Sequence, residues 1–196
     1  KVQFGEVKVG DVFTLKIDAN RRRKIERNHS SAHLLQKALQ EVLGSHVHQE
    51  GSFVSDTMVR FDFAHFEKMT AVQLRQVEKL VNEYIANSYV VETKVLPLEE
   101  AKKLTAMALF DDKYGDYVRV IDMGGVSIEF CGGTHVNNTK DIGTVAICYE
   151  ESIASGIRRI EARTSIDAYE LLKQKEIMLE NASKVLKVGS INEVNN

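Results

Sequence analysis

The sequence predicts an α+β fold, with helices packed on a largely antiparallel sheet. Helical periodicity runs over 21–43 and again over 70–87, with strand-length segments around each. Strand candidates then crowd the second half at 117–122, 126–131, 143–149 and 156–163, and a helical pattern returns from Asp167.

Each element has a local reason. Residues 12–18 (Val-Phe-Thr-Leu-Lys-Ile-Asp) read as a strand entering the domain. Asn20 can cap the helix 21–43, and Gly44 stops it. Ile25, Ala32, Leu35, Leu39 and Val42 form its apolar stripe, and His29 and His33 fall at the border of that stripe, facing a cleft between layers. Strands follow near 46–54 and 57–63. In the second, Val59, Phe61 and Phe63 alternate with Met58, Arg60 and Asp62, the period of a half-buried strand. Val72, Leu74, Val77, Leu80, Val81 and Ile85 mark the helix 70–87. Segment 90–96 is a strand, Pro97 opens a short helix with Ala101 and Leu104, and 105–116 is a loop.

Within 126–131, Val126, Ile128 and Phe130 share one face while Ser127, Glu129 and Cys131 share the other, so the thiol leaves on the polar side. Leu172, Leu179 and Leu186 recur every seven residues and fit the base of a coiled-coil arm. The expected organisation is 1–18 as the end of a β-rich segment, 19–166 as the main domain, and 167–196 as a helix leading onward.

A chain of 196 residues can bury one large core or two small ones. Its 43% hydrophobic and 28% charged residues exclude a disordered protein. No apolar run approaches the roughly 20 residues that cross a membrane, and no signal peptide opens the chain. Two cysteines, one in a metal-type motif, argue against a disulfide framework and for a reducing, cytoplasmic setting. A net charge of −2 excludes broad coating of nucleic acid, so any RNA contact must use local patches. The start at Lys1 and the helical end read as a piece of something larger.

Two ligand pairs dominate the chain. His29 and His33, at i and i+4, stack on one helix face. Cys131-Gly132-Gly133-Thr134-His135 adds a thiolate and a third imidazole from a glycine-rich turn. Three imidazoles and a thiolate suit zinc, whereas magnesium and calcium prefer oxygen. Ser30 stands where a His-Glu-x-x-His metalloprotease needs glutamate, and the motifs of a zinc deaminase are absent. Whether the zinc staples helix to sheet or keeps a position for water stays open at this stage.

The basic run Arg21-Arg22-Arg23-Lys24, with Arg27, offers either phosphate contacts or a solvated first turn. Arg158 and Arg159 alternate across a strand, so one can face a cleft and the other solvent. His46, His48 and His65 read as surface or packing residues, and Cys148 as an inert core thiol.

Arg21-Arg22-Arg23, Arg27-Asn28-His29-Ser30-Ser31-Ala32-His33-Leu34-Leu35 and Cys131-Gly132-Gly133-Thr134-His135-Val136 closely resemble the editing domain of alanyl-tRNA synthetases. Gln49-Glu50-Gly51-Ser52, Arg60-Phe61-Asp62-Phe63-Ala64-His65 and Gly156-Ile157-Arg158-Arg159-Ile160-Glu161-Ala162 extend the resemblance over nearly the whole chain. The threonyl enzymes' second motif typically reads Cys-Arg-Gly-Pro-His, from which Gly132, Gly133 and Thr134 depart. Free-standing editing relatives share Cys-Gly-Gly-Thr-His, but Arg-Asn-His-Ser and the long final helix favour the synthetase.

The resemblance implies hydrolysis of the ester joining serine or glycine to alanine tRNA. It implies zinc on His29, His33, Cys131 and His135, with Cys131 and Gln49 at the reacting centre. Gly132, Gly133 and Thr134 would line the substrate pocket, while Arg21, Arg22, Arg23, Lys24, Arg158 and Arg159 would contact tRNA. The full-length enzyme would ligate alanine to tRNA with ATP; this piece would edit but not charge. A non-catalytic, zinc-stapled tRNA-binding module is the rival reading.

Overall fold

A computed structural model describes residues 4–104 and 115–187. In chain order it contains α1 (Ala19–Leu43), β1 (Gln49–Val54), β2 (Val59–Ala64), α2 (Ala71–Ala86), β3 (Val91–Pro97), α3 (Leu98–Leu104), β4 (Tyr117–Met123), β5 (Ile128–Phe130), β6 (Val145–Ala154), β7 (Ile157–Thr164) and α4 (Ser165–Leu186). A 3-10 turn spans Thr139–Ile142. Two antiparallel sheets result, ordered β1-β2-β7-β6 and β3-β4-β5, so the α+β expectation holds.

The larger sheet turns Val59, Phe61 and Phe63 of β2 and Ile160 and Ala162 of β7 onto α1, while α2 packs on α1 and β6. Residues 28, 30–36, 38 and 39 of α1 are all buried, polar ones included, because helix and sheet surround the middle of this helix. β4 serves two cores. Its Val118 and Val120 pack with Ala101 of α3, while Ile121 and Met123, on the other face, join the main core. The small sheet is thereby fixed to the body that carries α1.

Several local expectations are corrected. Residues 12–18 pair with no strand among the described residues, and Val12, Phe13, Leu15 and Ile17 are exposed; the alternation has no partner edge. Asp18, not Asn20, caps α1, its carboxylate accepting from the Asn20 and Arg21 amides at 3.0 Å each. Pro97 closes β3 rather than opening α3, which begins at Leu98. β5 is shorter than 126–131, since Val126 belongs to the turn after Met123. Cys148 is half-buried, not core, beside a register shift between Ile147 and Tyr149 of β6. Most of the expected loop at 105–116 lies outside the described residues. Leu172, Leu179 and Leu186 of α4 are exposed. No helix among the described residues is long and apolar enough to cross a membrane.

Candidate metal centre

α1 and the loop after β5 converge. The ligand atoms of His29, His33, Cys131 and His135 all lie within 4.8 Å of one another. Cys131 Sγ is 3.4 Å from Nε2 of both His29 and His135. A tetrahedral zinc with bonds of roughly 2.0–2.3 Å separates its ligand atoms by roughly 3.3–3.6 Å, so the two 3.4 Å spacings at the thiol fit.

The ring orientations fit as well. His29 Nδ1 donates to the Thr134 carbonyl at 3.2 Å, which leaves its Nε2 lone pair facing the thiol. His135 Nδ1 lies 3.1 Å from Ser30 Oγ, and that hydroxyl also accepts from the Val136 amide at 3.2 Å. His33 Nδ1 is 3.2 Å from Glu129 Oε2, an ion-pair distance. Its N–H axis misses the oxygen, so the contact falls short of a formed hydrogen bond and the buried nitrogen is otherwise unpartnered.

Electrostatics keeps the imidazoles ready for a cation. Burial holds His33 down to about 3, with the neighbouring His29 adding to the effect. Burial likewise lowers His135 to about 2, helped by His33, His29 and Arg119. His29 is lowered by burial against the opposing pull of its Thr134 bond. All three are therefore neutral at pH 7, the form that binds metal. Burial raises the Cys131 thiol, which keeps its proton until a cation displaces it. Burial also pushes the Glu129 carboxyl up to about 7, against the Ser127 hydrogen bond.

The loop itself is held by Arg119. Its guanidinium Nη1 donates to the Cys131 carbonyl at 2.7 Å and to the Gly133 carbonyl at 2.6 Å. Cys131 returns its amide to the Arg119 carbonyl at 3.0 Å. Gly132 faces open space beside a cavity of about 240 Å³ lined by Tyr117, Arg119, Phe130 and Cys131. On the other side, His135, Arg23, Glu26, Arg27 and Asp141 line a cavity of about 400 Å³.

The remaining expected site residues lie in different settings. Gln49 opens β1 and its amide donates to Ser52 Oγ at 3.3 Å, not to the ligand cluster. Arg21 pairs with Asp56 and Lys24 with Asp167, each at 3.2 Å. Arg22 and Arg23 form no ion pair among the described residues. Arg159 makes a two-pronged pair with Asp62 at 2.7 and 2.8 Å. Arg158 points inward, buried against the Glu150 carboxylate, because β7 turns 158, 160 and 162 to the core. His46 and His65, read as surface or packing residues, bond to each other at 2.9 Å.

Sequence reasoning missed Glu129, Ser30 and Arg119. The face shared by Ser127, Glu129 and Cys131 is a legible signal for the first. Ser30 sits inside the histidine motif but looks like spacing, and Arg119 carries no local signature.

Comparison with known proteins agrees with the geometry. Residues 118–161 match the family described as the threonyl and alanyl tRNA synthetase second additional domain. The chain is 53% identical over 186 residues to alanine–tRNA ligase 1 of Lachnoclostridium phytofermentans, which covers 95% of this chain and 21% of that protein. It is 48% identical over 189 residues to the alanine–tRNA ligase of Acidithiobacillus ferridurans, covering 96% and 22%. It is 46% identical over 187 residues to that of Alkaliphilus metalliredigens, covering 95% and 21%. The chain thus spans about a fifth of the length of these relatives. On these matches it belongs to the alanine–tRNA ligase family, in the part that carries the second additional domain.

Proposed function

We propose that this chain is the editing part of an alanine–tRNA ligase, hydrolysing the ester between serine or glycine and the 3′ adenosine of alanine tRNA. The observation that carries this reading is the convergence of His29, His33, Cys131 and His135, contributed by two elements about a hundred residues apart. The need for such a site is physical. Alanine exceeds glycine by one methyl, worth about 1–3 kcal/mol of discrimination, and a small pocket rejects a serine hydroxyl poorly.

Zinc bound by these four residues would polarise the ester carbonyl or a water. The protein's own groups then bind and orient. Cys131 belongs to both the ligand set and the reacting centre, and Gly132, Gly133 and Thr134 bring backbone rather than bulk to the substrate side. Gln49 would orient water or the serine hydroxyl. Arg22 and Arg23, which form no ion pair among the described residues, are the first of the tRNA-contacting set, with Arg21 and Lys24 beside them. Arg158 and Arg159 would act more by holding the sheet than by meeting phosphate, given their carboxylate pairs. The whole protein would charge alanine tRNA with ATP in the cytoplasm.

A zinc-stapled tRNA-binding module is the second reading, favoured by the four protein ligands, which can close a tetrahedron. The test is deacylation of matched serine-, glycine- and alanine-charged alanine tRNA by zinc-loaded protein at two salt concentrations. The expected result is loss of serine and glycine, sparing of alanine, and weaker action at high salt. Equal hydrolysis of all three overturns proofreading. Tight tRNA binding without hydrolysis establishes the module instead.

A further inference from the structure

Strand alternation sends every second residue from 127 to 131 toward the ligand cluster. Ser127 Oγ donates to Glu129 Oε1 at 2.9 Å, Glu129 Oε2 lies 3.2 Å from His33 Nδ1, and Cys131 brings the thiol. His33 is only 5% exposed, and among the described residues its Nδ1 has no formed hydrogen bond, the Glu129 carboxylate lying 3.2 Å from it. From this chain of contacts we infer that Glu129, anchored by Ser127, is the positioning residue for His33. A small turn of the ring on metal binding closes this contact into a hydrogen bond, which fixes the proton on Nδ1 and leaves Nε2 for the metal. The inference rests on the zinc reading above.

Two arguments carry it. A neutral imidazole has one N–H and one lone pair, and a carboxylate kept ionised by the adjacent cation can only accept, so a carboxylate at Nδ1 dictates which nitrogen is left for the ion. His29 follows the same pattern through the Thr134 carbonyl, and His135 also meets its polar neighbour, Ser30, through Nδ1. The second argument is charge. A divalent cation with a single thiolate leaves one positive charge in a largely buried site, and Glu129 is the carboxylate in contact that offsets it.

The test uses the whole chain and zinc alone as the probe. Zinc affinity is measured by chelator competition for wild type, Glu129→Gln and Ser127→Ala. The ring nitrogens of His33 are read by ¹⁵N NMR in the zinc-loaded wild type. Glu129→Gln keeps the shape and removes the charge, so affinity should fall about 10–100-fold. Ser127→Ala should lose less, since the carboxylate stays but is less well held. His33 should carry its proton on Nδ1.

Wild-type affinity in both variants overturns the inference while leaving the zinc site intact, and so does a His33 proton on Nε2. A wild type that fails to bind zinc overturns the zinc reading and the inference with it. Should Glu129→Gln not fold, Ser127→Ala and the ring signals still decide, and unchanged affinity there defeats the anchoring.

Discussion

Gly133 lies flat against the His29 ring: a Cβ on it would stand 1.9 Å from Cε1 and 2.4 Å from Nδ1. No side chain fits between this loop and α1, so the glycine lets backbone and imidazole touch. Gly133→Ala should therefore displace either the ring or the loop and weaken zinc binding at least about tenfold, or ~1.4 kcal/mol. Gly132→Ala meets open space and should bind as wild type does. Chelator competition on the two variants separates them; equal losses would defeat this account.

Arg119→Ala strands the Cys131 and Gly133 carbonyls that the guanidinium now satisfies. The zinc-free protein should lose about 1–3 kcal/mol, the cost of half-buried polar groups left unpaired. Arg119→Lys, one bond shorter, should recover part of the loss. Urea unfolding of the three proteins measures it.

The zinc-free protein should become less stable as pH falls from about 6.5 to 4.5. His33 and His135 have folded values of about 3 and about 2, far below the ordinary 6.5, so they take up protons on unfolding in this window. Their contribution is present above 6.5 and is lost as the pH falls through the folded values. Glu129, raised to about 7, works the other way, its contribution being lost as pH rises through that value. His33 and His135 against one carboxyl leave a net uptake of about one proton on unfolding, and His29, also lowered by burial, adds to it in the same direction. Denaturation of wild type and His33→Gln at pH 5 and 6.5 tests the sign, because the variant should show a flatter dependence.

Phe61→Ala should cost about 3–5 kcal/mol, since the ring is 1% exposed at the centre of the main core. Leu172→Ala, on the outer face of α4 at 46% exposure, should change stability by less than about 0.5 kcal/mol. Equal effects in urea unfolding would contradict the assignment of the core to β2 rather than to the heptad leucines.

Much of this arrangement can be read without coordinates. The β2 alternation and the long first helix are strong because period and burial agree along many residues. The ligand pairs are legible because i, i+4 spacing and a glycine-rich turn are local patterns. Partners set by tertiary packing are not. Arg158 turns inward because of its strand register and Glu150 on the neighbouring β6, neither of which a single segment reveals. Residues 12–18 have the alternation of a strand, yet pairing depends on a neighbour that local pattern cannot supply. Arg119 reaches its two carbonyls only after β4 and β5 have paired.

The separation of 102 positions from His29 to Cys131 also sets a schedule. A ribosome adding about 5–20 residues per second makes the helix with its histidine pair roughly 5–20 s before the thiol exists. During that interval two imidazoles hold an ion only loosely and exchange it freely. Commitment waits until the loop is synthesised and β4 has docked it against the helix. Metal capture at this site would thus be a late event in the biogenesis of this domain, and an ion that stayed bound would mark a molecule whose two sheets have already met.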